Sequence, residues 1–469
     1  MLRPYQNKII EDCQAHMARG KKRIVIESPT GSGKTVLTSA MLKSARERGK
    51  TAWFNVHRVE LVEQTAKTFK RMGMPFGIIA SGYEPNDEPI KICSVPSLVR
   101  REIIAPNMIA WDECHHIAAP TWQRIFDSAP NAYHIGMSAT PQLPSGGGLG
   151  KWFEEMVHGL TIPELTEQGY LSRYVYYAPN VPDLDDVRSV GGDYSVTEID
   201  RIMRGKAIVG GVVEHWQRLG AGLKTVGFAP SVAASRAYVE AFQEAGVRAA
   251  HLDGDTEKTE RMSTIMRFAR GEIKVIFNCG LFGEGFDLAA IAEMDVNIEC
   301  LIKARPTQSL ILDKQMNGRA LRPKQKPAVI LDHAGNFTRH GLPDDVIEWG
   351  LAGKAMRPRA PGAAFAVTQC PPPCNAVFRA AVTCPYCGHT RAVQQRKLHY
   401  LTGELEQITR EKQAEAKKIE EMARKAARIE VGRARTLDEL VEIGMKRGYK
   451  EPYFWATNIM KGRKNNAKR

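Results

Sequence analysis

Two series of short apolar runs, each alternating with stretches of helical spacing, fill the first 345 residues. In the first series Ile24-Val25-Ile26 and the runs at 51–56, 76–80, 90–95, 108–111 and 132–137 predict strands. Between them, Ile9, Ile10, Cys13 and Met17 put an apolar stripe on a helix from Asn7 to Arg19, and residues 35–43 repeat that spacing. After Pro179, Pro182 and Gly191-Gly192 a second series begins, with strands predicted at 225–229, 247–252, 274–278, 294–302 and 328–331. Strands alternating with helices at this interval predict parallel, doubly wound α/β sheets. The expected layout is a first domain over 1–178, a linker over 179–205 and a second domain over 206–345.

Beyond residue 345 the pattern changes. Residues 404–430 are rich in Ala, Glu, Lys and Arg without Gly or Pro, which predicts a long charged helix. Ile419, Met422, Ala426 and Ile429 form only a short stripe on it, so sustained heptads are absent. A shorter amphipathic helix follows, and then Tyr449, Tyr453, Phe454 and Trp455 interleave with Lys and Arg. Aromatics among cations either stack bases while neutralising phosphates or form a small docking core.

Composition adds a partner class. The chain has 469 residues and a net charge of +14, and residues 391–469 hold 20 Lys and Arg against 11 Asp and Glu. A basic balance of this kind points to a polyanion, with nucleic acid the default candidate. No apolar run reaches the roughly 20 residues that span a bilayer, and Met1-Leu-Arg-Pro-Tyr-Gln6 lacks an apolar signal region. The expectation is a cytoplasmic protein with reduced thiols and no membrane partner.

Candidate chemistry sits where the predicted strands end. Ile26 leads into Ser28-Pro-Thr30-Gly31-Ser32-Gly33-Lys34-Thr35 and then a helix, the parts of a phosphate cradle. Gly31 and Gly33 let backbone N–H groups turn onto a polyphosphate, and the helix start adds its positive end. Lys34 reaches the β/γ-phosphates and Thr35 offers a hydroxyl to Mg²⁺. Ser28 stands where the strict pattern has Gly. Asp112-Glu113 follows the apolar strand Met108–Trp111, placing one carboxylate to hold Mg²⁺ and the next to orient and deprotonate water. Gln6 carries an amide that matches adenine N6/N7. In the second series Arg319 and Arg322 share a helix face, suited to the charge that develops on a γ-phosphate. Cys370-Pro-Pro-Pro-Cys374, nine residues, then Cys384-Pro-Tyr-Cys387 supply four thiolates for a structural Zn²⁺, in a module expected at 365–392 before a charged helix and basic aromatic tail at 400–469.

Taken in order, Tyr5-Gln6, Ser28 to Thr35, His57-Arg58, Ser94-Val-Pro-Ser97-Leu98, Asp112-Glu-Cys-His115, Ser138-Ala139-Thr140, Gly283 to Asp287 and Gln315-x-x-Gly318-Arg319-x-x-Arg322 resemble the superfamily-2 helicases of DEAD/DEAH type in their Asp-Glu-Cys-His form. His57-Arg-Val-Glu-Leu-Val-Glu-Gln64, Leu331-Asp-His-Ala-Gly-Asn336 and the cysteine cluster look most like the RadD-like and restriction-helicase group. The resemblance implies two tandem RecA-like domains, an Asp112/Thr35 Mg²⁺ site and ATP hydrolysis by Lys34, Asp112, Glu113, Gln315, Arg319 and Arg322. It implies ATP contacts by Tyr5, Gln6, Thr30, Gly31, Ser32, Gly33, Thr35, Gly285 and Asp287, and coupling through Ser138, Ala139 and Thr140. It also implies that His57, Arg58, Ser94, Ser97 and Ser231 lie on the face that tracks the strand. The expected function is an ATP-dependent nucleic-acid helicase or translocase, on DNA in preference to RNA, in repair, recombination or replication-fork remodelling. A partner protein on the C-terminal helix fits the same layout. The alternatives are the motor subunit of a restriction-type complex, although no Pro-Asp…Glu-x-Lys nuclease pattern is present; an RNA helicase; or a non-catalytic nucleic-acid-binding scaffold.

Overall fold

The computed structural model describes residues 2–84, 86–179, 181–282, 288, 294, 296–353, 367–379, 381–390, 430–431, 434, 436–446 and 452–466. The chain divides into two compact units, Met1–Val393 and Gln394–Arg469. No described helix is long and apolar enough to cross a membrane.

Within the first unit, β1 (Arg23–Glu27), β2 (Ala52–Val56), β3 (Gly77–Ile79), β4 (Ile90–Ser94), β5 (Met108–Asp112), β6 (Tyr133–Ser138) and β7 (Glu155–His158) form a sheet in the order β3-β4-β2-β5-β6-β1-β7. Every pairing in it is parallel. Ile24, Val25 and Ile26 are wholly buried, as a strand covered on both faces requires. The helices α1 (Pro4–Ala18), α2 (Lys34–Glu47) and α3 (Val59–Arg71) bury their apolar positions in the core that holds Ile24 and Ile26. Val25 instead joins the second core, with Trp111, Trp122 and Phe153. Because β6 lies between β5 and β1, Asp112 and the glycine loop flank the end of one intervening strand, which is where α/β sheets gather ligands.

The second sheet contains β8 (Tyr174–Tyr177), β11 (Thr225–Phe228), β12 (Ala249–Asp253), β13 (Val275–Cys279), β14 (Cys300–Lys303), β15 (Ala328–Asp332), β16 (Val367–Gln369) and β17 (Ala376–Arg379). Its order is β12-β13-β11-β14-β15-β8-β17-β16, and a separate hairpin joins β9 (Ser189–Val190) to β10 (Asp193–Tyr194). Three expectations change. The domain boundary is not at 178, because β8 already pairs parallel with β15 in the second sheet. Residues 179–205 are not a bare linker. They hold the hairpin and the helix Val196–Met203, whose Met203 is buried with Trp216 and Tyr238. The cysteine segment is not a separate module either. Its strand β17 pairs antiparallel with β8, Ala376 facing Tyr177, and borrows the sheet's edge as a core. A smaller revision concerns 294–302, where strand pairing begins only at Cys300.

The helix Leu310–Ala320, here called the arginine helix, is held against this sheet by buried charge. Lys303 on β14 and Asp313 on the helix are fully buried and meet at 2.5 Å. Asn317, one turn on, donates to Asp313 at 2.8 Å, and the Lys303 ammonium also reaches the Tyr176 hydroxyl at 3.1 Å. Tyr176 in turn donates to Asp332 at 2.8 Å. Desolvation pushes the Asp313 carboxyl up, but Lys303, with His340 and Lys314, outweighs it and keeps the group below its ordinary pKa.

The chain then returns to the first domain. Leu351 packs beside the Trp111 cluster, Gly150 N–H donates to its carbonyl at 2.9 Å, and Gly147 bridges Gly353. A Cβ at Gly148 would stand 2.0 Å from the Leu351 oxygen and one at Gly150 3.1 Å from it, which explains the glycines at those two positions. By Val367 the chain is back on the second sheet.

In the second unit the helices Leu437–Lys446 and Pro452–Asn466 close over Leu440, Ile443 and Ala456, while Met445, Tyr453 and Phe454 stay exposed. The long helix expected over 404–430 lies outside the described residues except for Glu430.

Replacing Lys303 by Met strands the Asp313 carboxylate in the core and should cost about 3–5 kcal/mol in denaturant unfolding. The double variant Lys303→Met/Asp313→Leu should recover most of that loss. Equal losses in the two variants would show that a stranded Asp313 carboxylate is not the cause of the loss.

Candidate functional site

The glycine loop has the geometry its composition suggests. Gly31 and Gly33 have φ of +87° and +85°, a region that side chains with a Cβ seldom enter, and Gly33 begins α2. Ser28 takes a structural part: its hydroxyl donates to Ser32 Oγ at 2.7 Å and ties the two ends of the loop together. The Tyr5 hydroxyl donates to the Ser32 carbonyl, and Gln6 Nε2 lies 3.3 Å from the carbonyls of both Ser32 and Gly33. Gln6 Oε1 accepts from Arg3 N–H at 2.9 Å. Tyr5 and Gln6 thus brace the loop rather than line the open cleft, which revises the expectation of an adenine-reading amide. Lys34 Nζ curls onto the Ser28 carbonyl at 3.2 Å.

Across β6, Asp112 ends β5 and Glu113 has φ of +51°, left-handed without being glycine. Such strain of roughly 1–3 kcal/mol persists where surroundings over-determine a residue, and active sites are the common setting. Glu113 is buried, with His115 Nδ1 at 3.4 Å from its carboxylate. The same ring nitrogen lies 3.1 Å from Ser138 Oγ, which accepts from Thr140 N–H at 3.0 Å. Ser138 also accepts through its carbonyl from Ser28 N–H at 3.0 Å. Ser138, at the end of the strand between them, therefore touches the glycine loop directly and reaches Glu113 through His115. Ala139 follows it, half-buried.

The second domain closes this end of the sheet. Thr30, Gly31, Gly33, Lys34, Thr35, Asp112 and Glu113 line one cleft of about 860 Å³ with Gln315, Arg319 and Arg322 of the arginine helix and its end. Gly318 lies directly on Thr30: a Cβ there would stand 2.5 Å from Thr30 Cβ. Leu321 inserts among the apolar residues of the first domain, and Lys258 pairs with Glu63 at 2.7 Å across the domains. Gly285 and Asp287 lie outside the described residues. Sequence reasoning missed a further wall. Gln64, Lys67, Thr68 and Arg71 of α3 also line the cleft. Their i, i+3, i+4, i+7 spacing was the signal, a polar stripe facing inward.

The residues expected to contact nucleic acid separate into two groups. Arg58 is exposed and His57 and Ser97 are half-buried, with the His57 ring 5.2 Å from that of His116. Ser94 is fully buried, so it cannot meet a strand on the surface. Ser231 caps the helix Val232–Glu244 by accepting from Ala234 N–H, and its hydroxyl bonds Asp200. Its hydroxyl is thus already committed to the fold.

The four cysteines converge. The sulfurs of Cys370, Cys374, Cys384 and Cys387 lie within 4.8 Å of one another, with Cys370–Cys387 at 3.6 Å and Cys374–Cys384 at 4.0 Å. A tetrahedral zinc with bonds of about 2.3 Å puts its sulfurs about 3.8 Å apart, so the set fits the ion. Burial pushes the Cys370 and Cys374 thiols up, while at Cys384 it is outweighed by the N–H groups of Tyr386 and Cys387, which bring that thiol below its usual pKa.

Residues 1–143 match the family described as Type III restriction enzyme, res subunit, and residues 212–324 match the Helicase conserved C-terminal domain. A 51.5 kDa protein of a Lactococcus phage (isolate 7-9) is 35% identical over 400 residues, covering 83% of either chain. A Saccharomyces cerevisiae protein named as the ATP-dependent helicase IRC3 is 29% identical over 347 residues, covering 69% of this chain and 49% of that one. Among solved structures, an ATP-dependent Type ISP restriction-modification enzyme, LlaBIII, bound to DNA, has the same fold over 70% of this chain. The TM-score is 0.52 at 13% identity, and the match spans 27% of that enzyme.

Gly318→Ala should lower ATP turnover about 100-fold, because a displacement near 1 Å at a reacting centre costs that much. Steady-state phosphate release measures it. Turnover equal to wild type would mean that the arginine helix does not work against Thr30.

Proposed function

This chain belongs to the superfamily-2 helicases of the type III restriction (ResIII) kind, and on that footing we propose that it is an ATP-driven translocase acting on DNA. The observation that carries the reading is the shared cleft, which cations from both domains line together with the glycine loop. Lys34 would hold the β- and γ-phosphates, while Thr35 and Asp112 would hold Mg²⁺. That ion's chemistry is to neutralise phosphate charge. Glu113 would take the proton of the attacking water as it bonds to the γ-phosphorus and ADP leaves. Gln315, Arg319 and Arg322 would stabilise the charge developing on the transferred group. Ser138 and Thr140 would convey the state of that site to the face bearing His57, Arg58 and Ser97.

DNA in preference to RNA is supported by the restriction-type match of residues 1–143, while the basic balance of the chain suits either polymer. Repair, recombination or fork remodelling is the setting we propose. The same match favours a second reading, the motor of a restriction-type assembly, and cleavage of DNA by a co-purifying subunit would distinguish it. The cysteine set would hold Zn²⁺ in a structural role, supplying folding energy to a hairpin too short to do without it.

Lys34→Ala should abolish ATP turnover while DNA binding survives, and Glu113→Gln should reduce turnover by orders of magnitude with nucleotide still bound. Measuring rates with single-stranded, forked and branched DNA and with RNA decides the polymer. A wild-type rate indifferent to every polymer would sink the motor. Independently, metal analysis should find one zinc per chain, lost in Cys384→Ser/Cys387→Ser; wild-type protein free of zinc would remove that site.

A further inference from the structure

We propose that the cysteine hairpin sets the position of the arginine helix, with Arg379 as the positioning residue; this deepens the ATPase reading and rests on it. Arg379 ends β17, the strand by which the hairpin joins the sheet. Its guanidinium reaches Asp345 at 2.9 Å and Asp344 at 3.2 Å. Asp345 is the informative partner because its carboxylate is buried, with the side chain only 1% exposed. One carboxylate oxygen faces Arg379, and the other accepts from Leu342 N–H at 2.9 Å. The carboxylate thereby joins the hairpin to the loop 342–345.

That loop holds the arginine helix. Lys314, which precedes Gln315 on the helix, donates to the carbonyls of Leu342 at 3.2 Å and Pro343 at 2.9 Å. Burial pushes the Lys314 ammonium down to about 8, while Asp313, Asp345 and Asp344 oppose the shift. The amine thus needs both the carbonyls and the nearby carboxylates. Without Arg379 the inner oxygen of Asp345 loses its counter-charge in a site that solvent does not reach, and the loop must relax to rehydrate it. Lys314 would follow the loop, and the helix would move against Thr30.

At the other end, the hairpin is fixed by the cysteines. Cys370 and Cys384 are buried with Ala376 and Phe378 against Tyr177, and Tyr386 packs at 6.3 Å from Tyr177 and 6.4 Å from Phe378. Metal bound by the four thiolates fixes the register of β17 on β8, and hence the place of Arg379. Occupancy of the cysteine site is thereby read out at the nucleotide cleft. Arg379 itself is half-exposed while Asp345 is buried, so its removal falls on the loop that this carboxylate holds.

The test uses the full chain with zinc bound, as wild type, Arg379→Ala and Arg379→Lys. ATP turnover, zinc content and amide hydrogen exchange are measured on each. Arg379→Ala should lower kcat about tenfold. KM for ATP should stay within about twofold, since the arginines act on charge present only in the transition state. Its zinc content should equal wild type. Exchange should quicken in 310–320 and 342–345 and stay unchanged in 34–47. Arg379→Lys, which keeps the charge, should recover part of each effect. Chelating zinc from wild type should quicken exchange in the same segments and add little to Arg379→Ala. Wild-type exchange and turnover in Arg379→Ala would overturn the proposal, as would joint loss of zinc and of both kinetic constants. If wild type hydrolyses no ATP, the function proposed above fails, and the exchange data still decide the link from hairpin to helix.

Discussion

A hydrogen atom is all that the arginine helix can present to Thr30, because a Cβ at Gly318 would come within 2.5 Å of that residue's Cβ. Helix backbone laid on the Thr30 side chain at this distance fixes where Arg319 and Arg322 stand relative to Lys34, and leaves little slack in the helix that carries them. The buried Lys303–Asp313 pair, the Asn317–Asp313 bond and the anchoring of Lys314 follow from that demand. Taking two charges out of water costs about as much as their attraction returns. What the pair contributes is therefore location more than stability. An apolar pair of the same volume would hold the helix to the sheet but would fix its rotation less tightly.

In the first domain the equivalent precision comes from strand order. With β6 between β5 and β1, the residue that ends β6 borders both the acidic pair and the glycine loop. Ser138 occupies that place and bonds to Ser28, His115 and Thr140. The left-handed Glu113 belongs to the same arrangement, since its buried carboxylate lies beside His115 while His115 is held by Ser138. These residues are linked by contacts of 3.0–3.4 Å, so the glycine loop, the acidic pair and the end of β6 form one connected set.

Most of the fold was legible because each strand at the centre of a parallel sheet must be apolar on both faces. Ile24-Val25-Ile26 and Met108 to Trp111 announce themselves in that way. The cleft was legible for a different reason: Gly31, Gly33, Lys34 and the Asp112-Glu113 pair fall at strand ends. What was hidden depends on neighbours remote in sequence. Tyr174 to Tyr177 reads as the tail of the first domain, and only pairing with Ala328 to Asp332 assigns it to the second. Ser94 and Ser231 look available in sequence, but burial and a helix cap take them up. The role of Arg379 depends on a carboxylate at 345 and a lysine at 314, neither of which marks itself as a partner. The inward stripe of α3 could have been found by spacing, but polar residues on a helix are ordinarily read as solvated.

The return of the chain to Gly147–Gly150 has a mechanical meaning. The polypeptide passes from the first domain to the second near Ser172, comes back at Leu351, and is on the second sheet again by Val367. Two domains joined by one tether can slide, twist and separate; joined at several places, they keep few degrees of freedom. At Gly148 only a hydrogen atom fits against the Leu351 oxygen, so the returning segment lies hard against the first domain and ties the two sheets together at a point far along the chain from Ser172.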